Sequence, residues 1–217
     1  MAKIALLIGV SEYQPEFNPL PAAVQDVEAM RRVLVNSEMG GFADSDVTVL
    51  KNPQPQDIRN AIEDLFSDRQ KDDLLLFYFS GHGIKDERGK LYFSTHDTTK
   101  NNGKLRKASA VTARVLHESI NESRSQRQVV ILDCCFSGAI AQGMTVKDDG
   151  SINLQEQLGG KGRAILTSST STQYSFEQEG SDLSIYTRYL VEGINTDAAD
   201  KDGDGQISID ELHEYAR

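Results

Sequence analysis

Five runs of the chain are apolar without alternation: residues 3–10, 47–50, 73–79, 128–132 and 163–168. Short runs of this kind predict strands, and the lack of polar alternation predicts a sheet covered on both faces, as parallel sheets are. Between the runs, apolar positions recur at spacings of three and four. Residues 22–35 carry Val24, Val27, Met30 and Leu34, and residues 56–66 carry Ile58, Ile62, Leu65 and Phe66. Pro53 and Pro55 sit just ahead of the second segment, where proline is tolerated. Residues 112–120, with Thr112 as N-cap, and 186–194 give two more helices. Strands alternating with helices predict an α/β fold, and right-handed crossovers put helices on both faces. The expected architecture is a three-layer αβα sandwich around a mostly parallel central sheet.

Polar segments separate these elements: a charged turn at 85–90, a linker at 98–107 with an Asn-Gly turn signal, and a Gly-containing stretch at 147–162 that reads as mobile. A length of 217 residues suits one domain with a short appendage. The chain carries 23 Lys and Arg against 33 Asp and Glu, a net charge of −10. That sign argues against a nucleic-acid partner, because phosphate affinity comes mostly from Lys and Arg. No apolar stretch reaches the roughly 20 residues of a bilayer span, so no membrane association is expected. Residues 4–10 are too short for a secretory signal, and no small-residue cleavage site follows. Cys134 and Cys135 are neighbours and the only cysteines, which excludes a disulfide framework. A reducing, cytoplasmic setting with a free thiol follows. Oligomeric state is not readable.

Two of the apolar runs end unusually. The third leads into Gly81-His82-Gly83, and the fourth leads through Asp133 into Cys134-Cys135-Phe136-Ser137-Gly138. In open α/β sheets the functional crevice lies outside the carboxyl ends of the strands, where a His and a Cys on adjacent strands can meet. A thiol with its ordinary pKa of about 8.5 is mostly protonated at neutral pH. A neighbouring imidazole supplies the thiolate and then protonates a leaving amine. Amides at a tight glycine turn hold the developing oxyanion. Taken singly, a His between glycines reads as a turn residue and a buried Cys as a small hydrophobe. The combination shifts the reading toward chemistry.

Together, YFSGHG (78–83) and DCCFSG (133–138) resemble the paired signatures of the caspase-fold cysteine peptidases. The match is closest to the metacaspase and bacterial caspase-like branch, whose second block reads Asp-x-Cys-x-Ser-Gly. The 53 residues from His82 to Cys135 are near the spacing of about 50 noted for caspases. The resemblance runs from the first strand to the helix near Leu190. It implies a caspase-like fold with Cys135 as nucleophile, His82 as general base and acid, and the Gly83 and Cys135 amides as oxyanion hole. Cys134 falls on the variable position and reads as a packed residue. The resemblance asks for no third catalytic side chain.

The Arg that follows the caspase nucleophile is absent, since Phe136 and Ser137 follow Cys135. Metacaspases instead use acidic S1 residues and cut after Arg or Lys, which implies a protein or peptide substrate with a basic P1 residue. Two residues match that pattern. Asp133 lies two positions before Cys135. Asp26 lies in a segment (22–30) similar to the family's Asn-Asp-Ala block, with Gln25 and Val27 in place of the Asn and Ala. The residues themselves leave alternatives open. Asp26 shares a helical side with Ala23, Met30 and Val33, where a carboxylate wants a cation such as a substrate guanidinium. It also lies near a helix N-terminus, where the macrodipole favours it. Asp133 also reads as a structural hydrogen-bond acceptor at a strand end, but two acids together tilt the reading toward a basic P1 pocket. The Ser/Thr run 167–172 either borders the cleft and pairs with an extended peptide, or is an ordinary polar loop.

From Asp197 the chain becomes dense in Asp and Gly. Residues 200–211 fit D-x-[DN]-x-[DN]-G-x₅-E at every specified position. This EF-hand reading assigns Ca²⁺ ligands to Asp200, Asp202, Asp204, the Gln206 carbonyl, Ser208 directly or through water, and Glu211. Leu212 and Tyr215 then begin an exiting helix. The alternative is a solvated acidic linker. Metacaspases are often calcium-activated, so the resemblance implies a regulatory role for the loop. The expectation is a caspase-like peptidase domain over 1–196 and an EF-hand-like calcium loop with the start of its exiting helix over 197–217. Its activity would be that of a calcium-responsive cysteine endopeptidase with no organic cofactor, cutting after Arg or Lys and, given Arg217, able to process itself. The competing reading is a catalytically silent caspase-like module, regulated by calcium, for binding or scaffolding.

Overall fold

The computed structural model describes residues 1–134, 136–138, 163–168 and 182–216, with 136–138 as backbone alone. The principal strands among them are β1 (Lys3–Gly9), β2 (Val47–Lys51), β3 (Leu74–Ser80), β9 (Arg127–Asp133) and β11 (Arg163–Thr167). They form one sheet in the order β11-β9-β3-β1-β2, and every pairing is parallel. The period of two sends successive side chains into two different cores. Leu6, Ile8, Phe77, Phe79, Val130 and Leu132 enter the first. It is closed by α2 (Pro55–Phe66) through Ile58, Ile62, Leu65 and Phe66, and by α3 (Ala113–Glu122) through Leu116 and Ile120. Ala5, Leu7, Leu76, Tyr78, Val129 and Ile131 enter the second. It is closed by α1 (Ala22–Val35), α4 (Ile185–Asn195) and α5 (Ile209–Ala216). Each large apolar side chain so buried contributes roughly 1.5–3 kcal/mol, which is why these strands show no polar alternation.

The expected three-layer sandwich is therefore present. Element ends differ by one or two residues for local reasons. β3 begins at Leu74 because the Asp73 carboxylate is already accepting from the Ala2 amide at 2.7 Å and the Gln70 amide at 2.9 Å. α2 opens at Pro55, with the Gln54 amide donating back to Asp57 at 3.0 Å. Thr112 caps α3 by accepting from the Arg114 amide.

A second, smaller sheet extends from the carboxyl ends of β3 and β9 and carries no sequence period, since its strands hold two or three residues each. It comprises β4 (Gly83–Lys85), β5 (Leu91–Phe93), β8 (Val111–Thr112) and β10 (Phe136–Gly138), in the order β10-β4-β5-β8. The charged turn at 86–90 joins β4 to β5, and Asp86 accepts there from the Arg88 and Lys90 amides. The Asn-Gly signal lies in a hairpin of β6 (Lys100–Asn101) and β7 (Lys104–Leu105), with Asn102 and Gly103 at φ 50° and 77°. Both central residues have positive φ, as a two-residue hairpin turn requires. The Asp-rich tail returns to the second core, where Ala199, Leu212 and Ala216 are buried. The segment 147–162 lies outside the described residues.

Candidate active site

The register of the strands brings the two motifs together. β3 pairs with β9 from Leu74 with Arg127 to Ser80 with Asp133, an offset of 53 residues throughout. β4 pairs with β10 from Gly83 with Phe136, again an offset of 53. In sequence, His82 and Cys135 are separated by the same 53 residues. Cys135, and with it the amide expected in the oxyanion hole, lies outside the described residues, as do 169–172 of the Ser/Thr run and Arg217. Cys134 is described, buried, and packed in the first core with Phe79 and Leu132. Gly83 is buried at the start of β4.

His82 is fixed at its backbone and its ring. Its amide donates to the Tyr13 hydroxyl at 3.0 Å, and its carbonyl accepts from the Ser94 amide and hydroxyl at 3.0 and 2.6 Å. Tyr13 Oη in turn donates to the Val10 carbonyl at 2.8 Å. A Cβ on Gly81 would lie 2.9 Å from both Tyr13 Oη and the Phe79 ring, so only glycine lets the chain pass here. The imidazole packs against Tyr13 and Phe17, with centroids 4.7 and 6.0 Å away. Its Nε2 lies 2.8 Å from the Asn18 carbonyl. A carbonyl only accepts, so Nε2 carries the proton and Nδ1 is the basic nitrogen of the neutral ring. Burial pushes the His82 pKa down, the Asn18 carbonyl opposes this, and the charge of Lys100 lowers it further.

The loop that supplies Tyr13, Phe17 and Asn18 is itself held. Asn52, at the end of β2, accepts from the Ser11 and Glu12 amides at 2.8 and 3.1 Å. Tyr13, Asn18 and Asn52 were not legible as site residues. Asn18 acts through a backbone carbonyl that any residue offers; the one local signal is Pro19, which restricts Asn18 to an extended backbone.

Asp26 and Asp133 are brought together, both buried, on the side of β3 that faces α1 and α4. Ser184, the N-cap of α4, ties them. Its amide donates to Asp26 at 2.9 Å and its hydroxyl donates to Asp133. Ser80 Oγ donates to Asp26 at 2.9 Å, and Thr187 Oγ1 donates to Asp133 at 2.7 Å. Tyr78 completes the chain by bonding to Thr187. Burial, then the Asp133 charge, pushes Asp26 up to about 7 against the pull of its donors. Burial likewise raises Asp133. Two carboxyls kept this dry favour a cation beside them.

A family model described as the caspase domain matches residues 2–217. The chain belongs to the caspase-domain family. Metacaspase-7 of Arabidopsis thaliana is 37% identical over 92 residues, covering 39% of this chain and 22% of that protein. Metacaspase-1 of Yarrowia lipolytica is 30% identical over 154 residues, covering 63% of this chain and 31% of that protein. The caspase-domain chain thus spans less than a third of the length of either relative. The crystal structure of protein GSU0716 from Geobacter sulfurreducens superposes with a TM-score of 0.63 at 17% identity, over 100% of this chain and 88% of that one. That likeness is one of fold.

The tail of this caspase-domain chain gathers oxygens. Carboxylate atoms of Asp200, Asp202 and Asp204 all lie within 4.8 Å of one another. Asp200 accepts from the Gly203 and Gly205 amides at 2.8 and 3.0 Å, and both glycines have positive φ. Glu211 accepts from the Lys201, Asp202 and Ser208 amides, while Ser208 Oγ accepts from the Glu211 amide. The last two bonds form a capping box at the start of α5. The Ser208 contacts, with the Lys201 and Asp202 amides, hold Glu211 down at about 2. An all-oxygen donor set of this kind fits a hard divalent cation.

Proposed function

We propose that this caspase-domain chain is a cysteine endopeptidase that cuts after Arg or Lys and responds to calcium. The observation that supports the reading is the offset of 53 residues shared by the β3–β9 and β4–β10 ladders, which equals the sequence separation of His82 and Cys135. His82 Nδ1 takes the proton from the Cys135 thiol, and the thiolate attacks the scissile carbonyl carbon. The Gly83 and Cys135 amides hold the oxyanion. Collapse breaks the C–N bond, and His82 passes its proton to the departing amine. The resulting thioester is hydrolysed by a water that His82 deprotonates, which releases the acid and restores the thiol.

The basic P1 preference is supported by Asp26 and Asp133, two desolvated carboxyls held at one place by Ser184. A substrate guanidinium would supply their missing counter-charge. In the tail, Asp200, Asp202, Asp204, the Gln206 carbonyl, Ser208 and Glu211 would hold Ca²⁺. Bound calcium supplies charge neutralisation, and Glu211 would exchange its amide bonds for the ion.

A peptide panel varied at P1, assayed with and without calcium on wild type and Cys135→Ala, tests the whole reading. Cleavage after Arg and Lys, lost in Cys135→Ala, is expected. No turnover in any condition would favour the silent binding module, and faster cleavage after Asp would refute the acidic pocket.

A further inference from the structure

Lys100 opens the β6–β7 hairpin. Its Nζ lies 4.6 Å from the centroid of the Phe17 ring, and that ring packs on the His82 imidazole at 6.0 Å. The ammonium therefore stands one aromatic ring away from the candidate acid–base. Other cations of the hairpin region are already paired: Lys104 with Glu87 at 2.6 Å, and Lys107 with Asp86 at 2.6 Å. Among the described residues no carboxylate lies within ion-pair distance of Lys100. Seating an ammonium over an aromatic face leaves N–H donors available for a carboxylate. The surrounding segment has the same sign. Residues 85–107 carry seven Lys or Arg against three Asp or Glu, in a chain whose net charge is −10.

The chemistry decides which part of a substrate meets this cation. His82 must deliver its proton to the departing amine nitrogen, so groups flanking its ring meet the residues that follow the cleaved bond. Asp26 and Asp133 lie on the other side of the β3 terminus, tied to α4, whereas Phe17 packs on the small sheet with Ile84 and Tyr92. The acidic pair is thus tied to α4, and the cation lies over the ring that packs on the small sheet.

We propose that Lys100 selects an acidic side chain in the first residues after the scissile bond. The inference rests on the peptidase reading and adds the second half of the substrate: basic before the bond, acidic after it. The test uses internally quenched peptides of one sequence, with Arg at P1 and Asp, Ala or Lys in the two following positions. Wild type should favour Asp over Lys by about three- to ten-fold in kcat/KM at low salt, and less at high salt. Lys100→Gln should erase the preference and Lys100→Glu should reverse it. The readout is the ratio at one pH, in which any effect acting through His82 protonation is common to all peptides and cancels. A wild-type ratio retained in Lys100→Glu overturns the proposal. Binding of the same peptides to Cys135→Ala, followed by fluorescence anisotropy, separates the two readings. A chain that binds the Asp peptide more tightly through Lys100 and cuts none keeps Lys100 and loses the peptidase. One that cuts all three equally keeps the peptidase and loses Lys100.

Discussion

An imidazole that donates through Nε2 to a fixed carbonyl has its other nitrogen committed to base chemistry, and its pKa then sets where that chemistry begins. Burial, aided by Lys100 and opposed by Asn18, holds His82 below its ordinary 6.5. The acid limb of kcat/KM on a neutral-P1 peptide, which does not engage the Asp26 charge, should therefore fall below pH 6.5, and Lys100→Gln should move it upward. A wild-type limb well above 6.5 would contradict the burial argument. Cys134, packed in the core, should tolerate Cys134→Ala with most activity kept and a stability loss of ~1 kcal/mol. Equal inactivation by that change would move the nucleophile. Asp26 makes the opposite kind of prediction. Its ordinary value is 3.8 and its folded value about 7, so between these the folded state holds the extra proton and stability falls as pH rises. The loss is at most about 4 kcal/mol at 1.36 kcal/mol per unit. Asp26→Asn keeps an acceptor for the Ser184 amide and removes the charge. Thermal melts should find it more stable than wild type at pH 8, with the difference vanishing near pH 4, while KM for Arg-P1 peptides rises at least about tenfold. An unchanged KM removes Asp26 from the pocket. At this scale the positions of His82 and Asp133 at strand ends were legible. Tyr13 and Ser184 were not, because they reach their partners across 69 and 158 positions of chain.

The element that organises the acidic pair is the first turn of α4. Ser184 caps the helix by accepting from the Thr187 amide at 3.3 Å and also bonds both carboxyls, so one residue couples helix start to the acidic pair. Ser184→Ala removes the cap and the Asp133 donor but keeps the backbone bond to Asp26. A loss of about 1–2 kcal/mol in a denaturant melt is expected, with KM for Arg-P1 peptides raised and KM for neutral-P1 peptides little changed. Equal effects on both peptide classes would make Ser184 merely structural. α4 itself was legible, as were the five principal strands and the other helices, because full burial on one or two faces writes a period or an unbroken apolar run. The small sheet that carries Gly83 and Phe136 was not. Its strands are too short to hold a period, and their pairing is decided by where β3 and β9 end. The two motifs thus stand in the sequence, whereas the short strands around them do not.

At the scale of the molecule, the Asp-rich tail is built into the body of the fold. Leu212 and Ala216 are buried in the same core as Leu7 and Tyr78, Tyr186 Oη meets His213 Nδ1 at 3.1 Å, and Tyr215 donates to Glu192 at 3.2 Å. α5 therefore rests on α4, whose first turn holds Asp26 and Asp133. The loop before α5 places three carboxylates within 4.8 Å of one another, a repulsion that a divalent cation relieves. A cation that binds the folded loop and not the unfolded chain must stabilise the whole domain by mass action, by about 2.7 kcal/mol at a hundred times its Kd. For a domain of this size that corresponds to a rise in Tm of about 5–10 °C. Calcium titrated into the chelator-treated chain should produce the shift, and magnesium a smaller one, because Mg²⁺ dehydrates reluctantly and demands stricter geometry. Asp202→Asn and Glu211→Gln should each abolish most of it. A calcium-induced rise that survives both changes would place the ion elsewhere, and the absence of any rise would reduce the tail to a packed helix with an acidic approach. If the shift appears, the same titration followed by KM for Arg-P1 peptides decides whether ordering α5 is felt at the α4 first turn.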